Sequence, residues 1–276
     1  MISIILPANN EEVLIRQCLT SLLASEGVKD AVEIILVANG CRDKTVQVAE
    51  DYIDLARKKG WAMQVVDLPE GGKIRALNYG DMLARYGARV YLDADVIVSP
   101  LVLKQMCQAL KSDQPRYVSG RIQITAPNDW VSCAYAKFYR LVPFMAEGVP
   151  GCGLFAVNAA GRAKWGVFPD IISDDTYVRL QFSPSERVGV EAPYDWPIVK
   201  GFGNLVRVRK RQNAGVDEVN ARYPELAQND NKAPFGIARL SAAIAKTPIG
   251  FVCYSAVAAA VRLAPQRDVK NWSRGR

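Results

Sequence analysis

Along the first hundred residues, short unbroken apolar runs alternate with segments whose apolar positions recur every three or four residues. The run "ISIIL" (2–6) is rich in isoleucine and has no polar alternation beyond one serine, the pattern of a strand buried on both faces. The next segment carries Leu14, Cys18 and Leu22 with Ile15, Leu19 and Leu23 on one stripe, which predicts a helix. Asn9 or Asn10 is its expected N-cap, with Glu11 and Glu12 in the first turn. "EIILVA" (33–38) predicts a second strand, and Val46, Ala49, Tyr52, Ile53 and Ala56 a second helix closed by Lys58, Lys59 and Gly60. "MQVVDL" (63–68), "GGKIRALNYGDMLARYG" and "RVYLDAD" continue the series as strand, helix and strand. Such alternation predicts an α/β fold, a Rossmann-like, mostly parallel sheet flanked by helices. In such sheets ligands gather at the carboxyl ends of the strands. Asn9 to Glu11, Asn39 to Asp43, and Asp93 with Asp95 all fall at those ends.

Past residue 100 the pattern loosens. It predicts a helix near 100–111, a strand near 117–125, a long helix near 129–146 and a glycine-rich turn leading into a strand over 150–158. "ISDDTYVRL" (172–180) places a second acid pair at a helix start. No repeat or low-complexity linker interrupts the chain, so one compact catalytic domain is expected over 1–230, followed by a helical segment over 231–276.

Half of the 276 residues are hydrophobic and 23% are charged, ordinary globular composition. A net charge of +7 suits an anionic partner such as a nucleotide or a phospholipid surface. Nucleic acid is not expected, because the basic residues are dispersed and no arginine–aromatic binding signature appears. The chain has no histidine, which excludes a Ser-His-Asp triad, a Cys-His dyad and any His-ligated zinc. A general base must then be a carboxylate, lysine, tyrosine or cysteine. The six cysteines are scattered without a C-x-x-C pair, which fits a reducing, cytoplasmic compartment. "MISIILPANNEE" lacks a charged leader and meets Pro7, so it reads as a strand rather than a signal peptide.

Four groups of residues are candidates for chemistry. Asp93 and Asp95 in "YLDAD" read as a divalent cation site completed by a substrate diphosphate, or as a solvated strand exit. Lys73 follows two glycines at a helix start, where bare amides, the helix dipole and an ammonium favour an anion; Arg75 is a weaker candidate. Arg207, Arg209, Lys210 and Arg211 in "VRVRKRQNAG" read as a basic loop closing over a diphosphate, or as a solvated helix face. From Thr247 to Val261 no residue is charged, and Arg262, Arg267, Lys270, Arg274 and Arg276 follow. Those 15 residues fall short of a span and predict a helix lying in the cytoplasmic leaflet with basic anchors; a buried C-terminal helix and a spanning helix are the alternatives.

Six segments occur in a fixed order: "ISIILPANNEE", "ILVANGCRDKT", "GGKIRALN", "YLDADV", "GCGLFAVN" and "SDDTYVRL". Together, over roughly residues 1–215, they resemble the family-two inverting glycosyltransferases with the A-type nucleotide-sugar-binding fold. The resemblance implies sugar transfer from a nucleotide-diphosphate donor with Mg²⁺ or Mn²⁺, and a lipid-linked or saccharide acceptor. It implies a donor-binding half over about 1–115 and an acceptor-side half over about 116–230. By position it makes Asp95 the principal metal ligand and sets Asp93 at the ribose or metal shell. Pro7, Ala8 and Glu11 then hold the nucleoside, with Asn9 where the family usually has a base-stacking tyrosine. Asn39 stands where many members have an aspartate facing the base, which leaves UDP, GDP and dTDP donors open. Lys73 falls on the donor side, Asn78 on the packing side, and Asp43 on a later acid of its loop that also suits a helix cap. Gly151, Cys152 and Gly153 fall on the acceptor-side loop. Asp175 maps onto the catalytic base, with Asp174 as the like-charged neighbour expected to raise its pKa. Gln212 follows Arg211 without the tryptophan of the processive members, which implies addition of one sugar at a time. A sugar-phosphate nucleotidyltransferase would need a glycine-rich loop where "PANNEE" stands; a non-catalytic binding protein of the same fold is the other rival.

Overall fold

The computed structural model describes residues 1–263. In order, the first half holds β1 (Ile2–Ala8), α1 (Leu14–Leu23), β2 (Val32–Asn39), α2 (Thr45–Glu50), α3 (Ile53–Lys58), β3 (Ala62–Leu68), α4 (Lys73–Leu83), β4 (Ala88–Leu92), β5 (Ile97–Val98) and α5 (Val102–Ala109). The second holds β6 (Tyr117–Thr125), α6 (Trp130–Tyr139), α7 (Pro143–Ala146), β7 (Leu154–Val157), α8 (Ala159–Arg162), α9 (Asp174–Leu180), β8 (Arg187–Pro197), α10 (Phe202–Arg222), α11 (Ile237–Lys246) and α12 (Pro248–Leu263). Among the described residues these strands form one eight-stranded sheet in the order β3-β2-β1-β4-β7-β6-β8-β5.

Every residue of β1 and β2 is buried, and their side chains divide with period two. Ile2, Ile4, Leu6 and Ala8 join Ile34 and Leu36 on one face, which Ile15, Leu19 and Leu22 of α1 close. Ile5 faces the other way with Leu77 of α4, and Ile35 and Val37 meet Ala76. Each such side chain contributes about 1.5–3 kcal/mol on leaving water. α4 lies this close because Gly80 carries no Cβ; one would stand 2.5 Å from Ile5 Cγ2.

The sheet is parallel through β3, β2, β1 and β4 and mixed beyond. β7 runs antiparallel to both β4 and β6. The carboxyl end of β4 therefore meets the amino end of β7, where Asp93 N donates to Gly153 O at 2.8 Å. That reversal delivers the glycine-rich turn to the same edge as the β4 acids.

Several expected helices differ. α1 starts at Leu14 with no side-chain cap and no acid in its first turn. Asn9 and Asn10 instead bridge to the loop after β2, and Glu11 O accepts from Leu14 N and Ile15 N. The helix expected over 46–56 breaks at Asp51–Tyr52 into α2 and α3. The one expected over 129–146 breaks before Pro143, whose missing N–H cannot continue the ladder, into α6 and α7. The basic stretch 206–215 is not a loop; it lies inside the 21-residue α10. α12 packs on α6 and α10, and no single helix among the described residues is long and apolar enough to cross a membrane. Arg267, Lys270, Arg274 and Arg276 lie outside the described residues.

Candidate active site

A cavity of about 230 Å³ opens at the carboxyl ends of β1, β2 and β4. Its floor is main chain drawn tight by two asparagines. Asn39 is buried; its Nδ2 donates to Ala8 O at 2.8 Å and Val37 O at 3.4 Å, and its Oδ1 accepts from Gly72 N at 2.9 Å. Both amide hydrogens and one lone pair therefore hold β1, β2 and the start of α4 together. Asn9 Nδ2 donates to Asn39 O and Gly40 O, so its side chain joins the same floor. Gly40 has φ +61 and lies so close to the next loop that a Cβ would come 2.6 Å from Gly71 N. Pro7, Ala8 and Glu11 line the cavity beside it. Asp43 Oδ1 accepts from Thr45 N at 3.0 Å, at the start of α2.

Lys73, the first residue of α4, stands between the two acid pairs. Its Nζ lies 2.9 Å from Asp93 Oδ1 and 3.1 Å from Asp174 Oδ1, with a quarter of its side chain exposed. Burial opposes its charge, but Asp174, Asp93 and Asp175 more than offset this, and its pKa is raised. Asp174 is the most enclosed of these acids, its side chain 7% exposed. Burial pushes its carboxyl up to about 6 against the pull of Lys73, with Asp175 and Asp93 adding to the rise. The raised carboxyl expected on chemical grounds thus falls on Asp174, with burial as its main cause. Asp175 Oδ1 accepts from Ser173 Oγ at 2.8 Å and from Thr176 N at 2.7 Å, which fixes the plane of its carboxylate.

The glycine-rich turn before β7 is shaped by neighbours. Gly151 has φ +65, and a Cβ there would overlap Tyr117 Oη, so it supports the turn from behind and does not line the cavity. Cys152 and Gly153 do line it. Gly153 has φ +70 and faces Val96, Trp196 and Asp93. Burial, then the charge of Asp175, pushes the Cys152 thiol up, so it lines the cavity protonated.

Arg207, Arg209 and Arg211 of α10 part company because a helix sends successive residues to different sides. Arg211 lines the cavity with Val208 and Gln212. Arg207 is exposed. Arg209 turns inward, donating from Nη1 to Tyr139 Oη at 2.9 Å and from Nη2 to Tyr254 Oη at 3.2 Å. Arg75 pairs with Glu70 at the surface, and Asn78 grips the main chain of Phe168 through both amide atoms, at 2.9 and 2.7 Å. Sequence reasoning missed Ile172, Ser173, Trp196, Pro197 and Val199, which complete the wall. The signal for Trp196 was an aromatic beside a proline at the end of an apolar run, "APYDWP".

Five carboxylates, from Glu11, Asp93, Asp95, Asp174 and Asp175, face the cavity with two cations, Lys73 and Arg211. A diphosphate entering alone would meet net negative charge; a hard divalent cation suits these oxygen donors. Among the described residues no three His, Cys, Asp or Glu side chains form a metal-holding cluster.

The profile of glycosyl transferase family 2 matches residues 3–138. The chain carries a glycosyltransferase family 2 domain. Two Bacillus subtilis (strain 168) proteins are similar to it. The uncharacterized glycosyltransferase EpsJ is 32% identical over 114 residues, 41% of this chain and 31% of that protein. The probable glycosyltransferase YdaM is 28% identical over 222 residues, 71% of this chain and 52% of that protein. The matched stretches thus span 31% and 52% of these relatives' lengths. The mannosyltransferase PcManGT of Pyrobaculum calidifontis, solved with GDP-Man and Mn²⁺, aligns over 97% of this chain and 76% of its own, with TM-score 0.61 and 20% identity. Glucosyl-3-phosphoglycerate synthase of Mycobacterium tuberculosis, solved with Mn²⁺, UDP and glucosyl-3-phosphoglycerate, aligns over 80% and 79%, with TM-score 0.55 and 19% identity. The fold is therefore the glycosyltransferase A-type fold. In this family 2 domain the profile ends within α6, so the second acid pair and α10 lie beyond the matched stretch.

Proposed function

We propose that this chain is a divalent-metal-dependent, inverting glycosyltransferase that moves one sugar at a time from a nucleotide-diphosphate sugar to a lipid-linked or saccharide acceptor. The observation that carries this reading is the meeting of two acid pairs across one cavity, with Lys73 touching a member of each. On this reading the enzyme works in the cytoplasm at the inner face of the cell membrane.

Asp95 and Asp93 would hold Mg²⁺ or Mn²⁺, which when bound would supply charge neutralisation to the donor's diphosphate. Pro7, Ala8, Glu11 and the amide-linked floor around Asn39 seat the nucleoside. Lys73 and Arg211 offer positive charge where the departing diphosphate gains negative charge. Asp175 takes the proton of the acceptor hydroxyl as that oxygen attacks the anomeric carbon from the face opposite the diphosphate. Its fixed carboxylate plane supports that role, since a base held in position needs no reorientation when the acceptor arrives. Asp174 keeps Lys73 in place and Asp175 in an acidic neighbourhood. Gly151, Cys152 and Gly153 bound the acceptor side.

The test is a thermal-shift panel of UDP-, GDP- and dTDP-sugars with and without Mn²⁺. One base is expected to raise Tm only with the metal, and Asp175→Asn is expected to keep that shift while transfer falls about 10²–10⁴-fold. Undiminished transfer by Asp175→Asn would sink the assignment of the base. Metal-dependent binding with no turnover in any acceptor mixture would favour the binding-protein reading.

A further inference from the structure

α12 is apolar on both its sides. The inner side, Gly250, Cys253 and Val257, is buried. Gly250 rests on Ala134 O of α6, where a Cβ would come to 2.7 Å, and Tyr254 stacks on Tyr135 at 5.3 Å between centroids. The outer side carries Ile249, Val252, Ala256, Ala259 and Leu263, three or four residues apart and every one exposed, Val252 by 64%. A helix at a water-facing surface ordinarily shows polar residues on that side.

Two large exposed rings stand on the helices against which α12 packs. Trp130, 71% exposed, opens α6, and Phe202 opens α10. Asp129 Oδ2 accepts from both Ser132 N at 2.9 Å and Gly201 N at 3.1 Å, which fixes the two helix starts side by side. Cations predominate around this surface, where Asp129 is tied to the two helix starts and Glu147 is paired with Arg239 of α11. Segments 130–139, 202–216 and 234–263 contain no Asp or Glu, while Lys137, Arg207, Lys246 and Arg262 are exposed.

We infer that the outer stripe of α12, together with Trp130 and Phe202, is a docking face for an anionic lipid surface, with α12 lying along the bilayer. The excess of cations selects this occupant. A two-fold contact between copies of the chain would press a mostly cationic surface against itself, whereas anionic headgroups complement it. The geometry excludes α11 and α12 as one straight span, because the pair is bent by 115°. The described stretch of α12, Pro248–Leu263, is 16 residues, about 24 Å at helical rise. The face goes beyond the reaction proposed above and connects to it: Phe202 begins α10, the helix whose Val208, Arg211 and Gln212 wall the cavity. A lipid-carried acceptor would thus reach the cavity from the side on which the enzyme rests.

The test is flotation of the full chain with phosphatidylcholine vesicles, with and without phosphatidylglycerol. Wild type is expected to float with the anionic vesicles, weakly with the neutral ones, and less as salt rises. Val252→Asp and Trp130→Ala are each expected to lower the partition coefficient about tenfold, with melting curves that match wild type, since both side chains are exposed. Flotation of both variants equal to wild type overturns the proposal, as does wild type that fails to float. A dimer in sedimentation that Val252→Asp dissolves, with flotation unchanged, overturns it in favour of a second copy. None of these readouts depends on sugar transfer, so failure here leaves the reaction reading untouched.

Discussion

Asp93 and Asp95 leave the end of a strand, whereas Asp174 and Asp175 open a short helix, and Lys73 touches the first acid of each pair. The difference between the pairs is exposure. The Asp93 side chain is 32% exposed and that of Asp174 is 7%. Near water a carboxylate keeps its charge cheaply and remains at hand for a cation or a ligand hydroxyl. In the enclosed position burial outweighs the pull of the same ammonium, and the Asp174 carboxyl rises to about 6. One lysine thus pairs with two chemically identical acids in different surroundings, one near water and one enclosed by protein.

The sharpest way to break this comparison is to remove the shared cation. Lys73→Met leaves both acids without their partner, one of them buried. Urea unfolding is expected to show a loss of about 3 kcal/mol, with transfer lower by at least about a hundredfold. An unchanged midpoint would mean that Lys73 does not hold the pairs together.

Asp174→Asn comes next, with transfer at the optimum lower by about tenfold and the pH profile as its distinctive readout. The native carboxyl holds its proton more tightly than an ordinary one, about 6 against 3.8, so its contribution to stability is full below 3.8 and is lost as pH rises through about 6. Transfer should run the opposite way, because the ionised form holds Lys73. Its rate is expected to rise through pH about 6 in wild type, and this limb should be absent in Asp174→Asn.

Gly153→Ala tests the contact between the turn and the exposed pair. Its positive φ and a Cβ 2.8 Å from Val96 Cγ2 predict a loss of about 1–3 kcal/mol in thermal or urea unfolding. The smallest effect belongs to Arg207→Ala on α10, within about 0.5 kcal/mol of wild type and with nucleotide affinity unchanged. Arg211→Ala, four residues on, should weaken nucleotide binding in the same titration.

The strands that build the cavity floor were legible because β1 and β2 are buried on both faces, and an unbroken apolar run has few other meanings. The acid pairs were legible as positions at element ends. Which acid would be enclosed was not, because the burial of Asp174 comes from α4, α9 and the turn beside them meeting in space. The arginines of α10 show the same limit. Residues 207, 209 and 211 look alike in the chain, yet one faces solvent, one lies between Tyr139 and Tyr254, and one walls the cavity. Asn39 lines the cavity, and its grip on three main-chain segments could be read only from the loops packed around it. β8 was hidden because Gly189, Pro193 and Pro197 interrupt its alternation, and its pairing with β6 shifts register between Ser119 and Arg121.

The reversal of β7 against β4 and β6 has a further consequence. β6 ends, and β7 begins, at the rim of the cavity, so residues 126–153 leave the sheet and return to it at one edge. That excursion includes α6 and the glycine turn, and none of its residues pairs in the β1–β2–β4 ladder. On the function proposed above, changes in its sequence would act on the acceptor side of the cavity while those strand pairings stay as they are.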